Sequence, residues 1–364
     1  MTSQVARLND FGQSPWYDNI TRTLVTGGGL ADLVRDDGIR GVTSNPTIFE
    51  KAMAAGEGYD EQLASCAADG FSIEDSYWQL VLDDVATAAD LLRAVYDSSG
   101  GSDGFVSIEV SPELAHDPDA TIAQAASLFE RLGRPNVMIK IPATVEGLPA
   151  ITANIAAGIN TNVTLIFSLA RYDAVIDAYL SGLDQLVADG GDPASVASVA
   201  SFFVSRVDTE TDRRLPDSSP LRGKAAVANA KLAYQLFRDR FTGDRWEALA
   251  SRGATLQRPL WASTSTKNPA YPSTLYVDEL IGPDTVNTLA PASIEALHNG
   301  EATLVAETVA ADVEGAAAMM RDLDAAGVDF ADVTATLEHE GVASFAASFR
   351  DALATLEKRR AEVS

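Results

Sequence analysis

The sequence predicts an α/β fold, a (β/α)8 barrel of parallel strands with additional helices at the C-terminus. Three observations carry this reading. Short β-rich runs recur eight times, and stretches with helical periodicity separate them. The length, 364 residues, falls within the range of about 200 to above 400 that such barrels occupy. Strands alternating with helices point to a parallel sheet, and eight strands suffice to close one. A doubly wound open sheet is the competing architecture, and the strand count favours the barrel.

The expected strands are Pro15–Asn19, Gly41–Asn45, Phe105–Val110, Val137–Pro142, Asn160–Phe167, Val199–Val204, Pro259–Ser265 and Thr285–Leu289. The last of them carries the weakest pattern. Tyr77–Val95, Leu169–Val187 and Leu221–Phe241 show the spacing of amphipathic helices. The stretch from Gly147 to Ala170 has no charged residue, yet Asn154, Asn160, Asn162 and Thr164 make it too polar for hydrocarbon. It reads as a buried helix followed by a buried strand. Gly27–Gly29 and Gly100–Gly104 read as helix-to-strand turns, and neither has the spacing of a dinucleotide-binding loop. Ala311–Leu323 and Asp332–Arg359 are long amphipathic patterns. Residues 1–364 are therefore expected to form one barrel domain, with helices at about 311–360 packed outside.

Composition narrows the function. Against 27 Lys and Arg stand 52 Asp and Glu, a formal charge of −25. Nucleic acid and anionic membrane both need a basic surface, so neither is an expected partner. A small anionic substrate requires a few local cations to overcome that field. The lone cysteine, Cys66, suits a reducing cytoplasm, and residues 1–10 lack the apolar core of a signal peptide. The three histidines, His116, His298 and His339, share no helix face, so no metal site is announced.

Lysine is the informative residue. Of six, Lys51, Lys224, Lys231, Lys267 and Lys358 sit in polar or helical surroundings where a solvated ammonium is the default. Lys140 lies inside Val-Met-Ile-Lys-Ile-Pro, which reads as a fully buried strand. Burial disfavours the charged form of a lysine, and a neutral amine can attack a ketone to give a Schiff base. Alternation with period two then tests for partners. Ser107 and Glu109 share one face of their strand, and Asn160, Asn162 and Thr164 share one face of theirs. Ser201 pairs with Phe203, and Trp261 with Ser263 and Ser265. Polar faces on several strands, towards their C-terminal ends, are where barrel enzymes build active sites.

These residues resemble the transaldolase family. Gly41-Val-Thr-Ser-Asn-Pro-Thr-Ile-Phe49 is similar to its N-terminal signature, and Val137-Met-Ile-Lys-Ile-Pro142 to the segment around its Schiff-base lysine. The resemblance runs from Trp16-Tyr-Asp18 to Tyr276–Thr288 and is nearest to the longer bacterial members. It implies a barrel with the lysine on the fourth strand, where counting strands independently puts Lys140. It also implies transfer of a dihydroxyacetone unit between ketose and aldose phosphates, in the non-oxidative pentose phosphate pathway, without a cofactor or metal. By position, Lys140 resembles the Schiff-base lysine and Asp18 the acid/base at the C4 hydroxyl. Glu109 and Thr164 resemble the pair that holds a catalytic water. Asn45, Asn162 and Ser201 resemble the ligands of the dihydroxyacetone hydroxyls, and Arg206 a phosphate ligand. One departure stands out. Shorter members carry a second phosphate-binding arginine after the seventh strand, whereas Ala262-Ser-Thr-Ser-Thr-Lys267 offers Lys267, with Ser265 beside it.

Three rivals remain at this stage. A fructose 6-phosphate aldolase-like lyase would use the same lysine. Those relatives are shorter and resemble this site with glutamine and tyrosine where Glu109 and the substrate-side Phe203 stand. A pyridoxal-phosphate enzyme follows from the lysine alone, and a silent sugar-phosphate-binding barrel is the non-enzymatic reading. The expected partners are small sugar phosphates, handled by a cytoplasmic monomer or homodimer.

Overall fold

In a computed structural model that describes residues 3–56 and 58–363, eight parallel strands close in sequence order. They are β1 (Gln13–Tyr17), β2 (Gly41–Thr43), β3 (Phe105–Glu109), β4 (Val137–Pro142), β5 (Thr161–Ile166), β6 (Ser198–Phe203), β7 (Arg258–Ala262) and β8 (Thr285–Leu289). Each pairs with its successor, and β8 returns to β1. The strands are buried on both faces because helices cover the outside and side chains fill the inside. All eight expected strands are present, including β8. The first lies two residues earlier than expected: it starts after Gly12, whose φ of +76° turns the chain into it. The hydrophobic core runs without a break from Val5 to Leu356.

Residues paired across neighbouring parallel strands share a face, so the register identifies the inner layer. Thr43 pairs with Ser107, Glu109 with Lys140, and Lys140 with Asn162, which places all five inside. The base of the barrel is filled. The Trp16 indole donates to Asp103 at 2.8 Å, and the Arg258 guanidinium reaches Ser14 at 2.9 Å and Asp103 at 3.3 Å. Gly41 must be glycine here, since a Cβ would sit 2.4 Å from the Trp16 ring.

Two sequence expectations need correction. Gly27–Gly29 is a helix-to-helix turn, between Arg22–Thr26 and Gly29–Asp36, with Gly28 at a φ of +88°. Gly100–Gly104 does lead from the helix Ile73–Ser98 into β3. On β7 the expected face is inverted. Ser201 pairs with Leu260 and Phe203 with Ala262, so Leu260 and Ala262 face inward. Trp261 points out against Phe202, ring centroids 6.2 Å apart. Ser263 reaches the site only because its φ of +57° ends the strand and resets the alternation. A similar break at Leu165, φ +60°, shifts the register of β5 against β6, so simple alternation stops after Thr164.

The helix Phe330–Val363 crosses the end of the barrel where the strands finish. Its Gly341 lets Leu165 of β5 approach, to 2.9 Å from where a Cβ would stand. Ser348 hydrogen-bonds Thr47 at 2.8 Å, and Phe349 meets Tyr77 edge-on at 5.1 Å. Ion pairs fasten it along its length: Asp332 to Arg214 at 2.7 Å, Glu338 to Arg171 at 3.4 Å, Arg359 to Asp60 at 2.5 Å. Among the described residues no helix is long and apolar enough to cross a membrane.

Candidate active site

A cavity of about 540 Å³ opens at the C-terminal ends of the strands. Lys140 stands at its floor. Lys140 is 5% exposed, and its Nζ donates to the Ser44 carbonyl at 2.9 Å while lying 3.3 Å from Glu109 Oε2. The strand register makes this pair inevitable, because Glu109 and Lys140 are direct neighbours on adjacent strands. Glu109 lies behind the lysine, against an apolar wall that includes Phe49, Tyr77, Trp78 and Phe349. Burial there pushes its carboxyl above the usual range, partly offset by the Lys140 ammonium.

Asp18 follows β1 directly, held by its own N–H to the Leu289 carbonyl at 3.0 Å. Its carboxylate accepts from Thr43 Oγ1 at 2.7 Å and lines the cavity beside Lys140. Burial raises its pKa, while the Thr43 hydrogen bond and the charges of Lys140 and Lys267 pull it back down. Thr164 is fully buried, and its hydroxyl faces the cavity with no protein partner, free to hold water or a substrate group.

The three dihydroxyacetone candidates divide. Asn45 and Ser201 line the cavity, and Asn45 also caps the helix Pro46–Ala55, accepting from the Ile48 N–H at 3.0 Å. Asn162 sits below them. It accepts from Ser201 Oγ at 2.7 Å and donates to Ser107 Oγ at 3.0 Å, so it orients Ser201 from the layer beneath.

At the rim, Arg206 occupies the first turn of the helix Ser205–Arg214, its guanidinium carbon 5.6 Å from the Phe203 ring centre. Lys267 and Ser265 belong to the loop after β7, with Lys267 Nζ donating to Ser265 Oγ at 2.9 Å. All four of Phe203, Arg206, Ser265 and Lys267 line the cavity. Desolvation by the surrounding cavity wall lowers the pKa of Lys267, as do the neighbouring cations Arg206 and Lys51, while the Asp18 carboxylate pulls the other way.

Several contributors carried no usable signal in the sequence. Thr43 and the Ser44 carbonyl lie within a recognised motif, but only the register shows what they touch. Lys51, treated as an ordinary solvated lysine, lines the cavity. Phe345 arrives from the C-terminal helix, more than three hundred residues after the first wall of the site. Lys231 is not a free surface ammonium either: it is 8% exposed and paired with Glu279 at 2.9 Å.

A barrel whose strand ends gather a buried lysine, two carboxylates and rim cations around one cavity has the make-up of a barrel enzyme's active site. Residues 15–356 match the Transaldolase/Fructose-6-phosphate aldolase family, and the chain belongs to it. It is 49% identical to a transaldolase of Parafrankia sp. (strain EAN1pec), over 99% of this chain and 98% of that protein. It is 50% identical to transaldolase 1 of Streptomyces coelicolor, over 97% and 93% of the two chains. With the transaldolase of Thermobifida fusca the identity is 49%, over 97% of each.

Proposed function

We propose that the chain is a transaldolase in which Lys140 is the Schiff-base residue. It moves a dihydroxyacetone unit from sedoheptulose 7-phosphate or fructose 6-phosphate to glyceraldehyde 3-phosphate or erythrose 4-phosphate, in the non-oxidative pentose phosphate pathway. The observation that supports it most is the direct cross-strand pairing of buried Lys140 with buried Glu109 at the cavity floor.

The Lys140 amine attacks the ketone carbon C2, giving a carbinolamine. Glu109, with Thr164 and a water between them, protonates the leaving hydroxyl, and loss of water forms the iminium. A carboxyl held above its usual range by burial is suited to that proton transfer. Asp18 then takes the C4 hydroxyl proton. The C3–C4 bond breaks, its electron pair passes into the iminium, and an aldose phosphate leaves. The enamine stays on Lys140 until an acceptor aldehyde enters and the same steps run backwards. Asn45 and Ser201 hold the dihydroxyacetone hydroxyls, Asn162 orients Ser201, and Phe203 walls the cavity. Arg206, Lys267 and Ser265 take the phosphate. The carboxylate at Glu109 and the phenyl ring at Phe203 favour transfer over an aldolase that releases dihydroxyacetone.

We read residues 1–364 as one barrel domain, which the continuous core supports, working in the cytoplasm as a monomer or homodimer. Borohydride reduction with fructose 6-phosphate, followed by peptide mass spectrometry, tests the assignment. The adduct is expected on Lys140, and an adduct on Lys51, Lys224 or Lys267 would end it.

A further inference from the structure

The loop that carries Ser265 and Lys267 is held in an unusual way. From Thr264 to Leu275 its backbone hydrogen bonds are local, Tyr271 N–H to Asn268 at 3.1 Å and Leu275 N–H to Pro272 at 3.1 Å. Its two ends are fastened: Ser263 accepts from the Ser205 N–H at 3.0 Å, Thr264 Oγ1 donates to Asn287 at 2.9 Å, and Ser273 donates to Glu301. Between and just beyond those ends, a pair of tyrosines reaches across to one helix. The Tyr276 hydroxyl donates to Asp208 Oδ2 at 2.8 Å, and the Tyr271 hydroxyl donates to Asp212 Oδ2 at 2.5 Å. Both aspartates project from the helix Ser205–Arg214, the same helix that carries Arg206 in its first turn.

Each carboxylate divides its oxygens between two neighbours. The second oxygen of Asp208 accepts from the Ala226 N–H at 2.8 Å, and that of Asp212 from the Gly223 N–H at 2.9 Å. The 223–226 turn is thereby locked to the same helix, and the Tyr271 ring packs over Gly223, where a Cβ would approach it to 2.6 Å. Asp208, Asp212 and Tyr276 are all buried. Phenol-to-carboxylate hydrogen bonds are charge-assisted, shorter and stronger than neutral ones. The mechanism above uses none of these four side chains.

Their placement answers an electrostatic problem. Arg206 and Lys267 line one cavity and repel each other, and the charge of Arg206 is felt at Lys267. Held at its ends alone, the segment between Thr264 and Ser273 could relieve that repulsion by swinging Lys267 outward, and a phosphate would have to draw it back on binding. We propose that Asp208–Tyr276 and Asp212–Tyr271 are positioning pairs that clamp the Lys267 loop to the Arg206 helix, so that both cations meet the substrate phosphate already in place. Preorganisation of this kind lowers the ordering cost of binding and leaves the chemistry at Lys140 unaltered. The proposal rests on Arg206 and Lys267 being the phosphate ligands.

The test is a double-mutant cycle between Tyr276→Phe and Lys267→Ala, measured on fructose 6-phosphate and on unphosphorylated fructose. Tyr276→Phe deletes one hydroxyl and is expected to raise KM for the phosphorylated sugar roughly three- to tenfold, the worth of one hydrogen bond. Its kcat and its activity on fructose should stay near the parent values. In the Lys267→Ala background the same change should add far less to KM, because of the groups it positions only the neutral Ser265 hydroxyl remains. Equal losses on both sugars, or effects that multiply across the cycle, would overturn the positioning role. If Lys267→Ala alone leaves KM unchanged, the phosphate assignment fails and the proposal falls with it. Tyr271→Phe, at the partly exposed second pair, should give a smaller shift in the same direction, and it serves if Tyr276→Phe does not fold. An unchanged KM in a folded variant of either kind would likewise count against the clamp.

Discussion

The two ends of the cavity are built on opposite principles. At the inner end Lys140, Glu109, Thr164 and Ser201 stand on strands, each no more than 6% exposed, and each is fixed by the register of its neighbours. At the outer end Arg206 sits on the first turn of a helix, and Lys267 and Ser265 on a loop at the rim. A strand holds a side chain to a set position in a dry environment, where charges act strongly and proton transfers can be controlled. A rim trades that rigidity for access, which suits capture of a solvated phosphate. The proposed function accordingly assigns bond-making and bond-breaking to one half of the site and affinity to the other.

Substitutions sharpen this division, beginning with the largest expected effect. Lys140→Arg should abolish borohydride trapping and transfer while circular dichroism stays native, because a guanidinium remains charged and cannot attack the ketone. Asp18→Ala should still trap an adduct but turn over about 10²–10⁴-fold more slowly, the usual contribution of a general base. Loss of trapping in that variant would mean that Asp18 serves imine formation instead. Arg206→Ala should raise KM for fructose 6-phosphate by about ten- to a hundredfold with a smaller change in kcat, and Lys267→Ala should do so more weakly. A charge-assisted hydrogen bond is worth ~1.5–3 kcal/mol, and only the guanidinium can grip two phosphate oxygens. If Lys267→Ala slows reaction on unphosphorylated fructose by the same factor, the outer end is not a phosphate site.

The smallest effect concerns pH. On the proposed mechanism Asp18 acts in its base form, and the Thr43 hydrogen bond lowers a pKa that burial has raised. Thr43→Val removes the lowering contribution, so the acid limb of kcat should move to higher pH. Activity well above that limb should be unchanged. A pH–rate profile that does not move would show that another group controls the acid side.

The same division decided how much could be read from the sequence. All eight strands were legible, and so was Lys140, because an ammonium inside an aliphatic run contradicts its surroundings. Glu109, Asn162 and Ser201 followed from alternation along straight strands. Alternation misled where the backbone leaves the strand conformation. Ser263, with its positive φ, inverted the reading of β7, and neither Trp261 nor Leu260 carries a local sign of that turn. The outer end was read chiefly through resemblance, since loop residues have no period. Thr43 as a partner of Asp18, Lys51 at the rim and Phe345 from the distant C-terminal helix depend on tertiary packing alone.

The filled base of the barrel has a kinetic consequence. With Trp16, Phe105 and the Arg258–Asp103–Ser14 cluster occupying the N-terminal end, the route to Lys140 runs through the mouth between the rim cations. Donor and acceptor carry the same phosphate handle and compete for the same doorway. On the proposed mechanism the first aldose phosphate must depart before the second can enter, while the three-carbon fragment waits, covalently moored at the floor. Traffic through one entrance thus imposes an order on the two half-reactions, and excess acceptor should slow the cycle by occupying the doorway ahead of the donor.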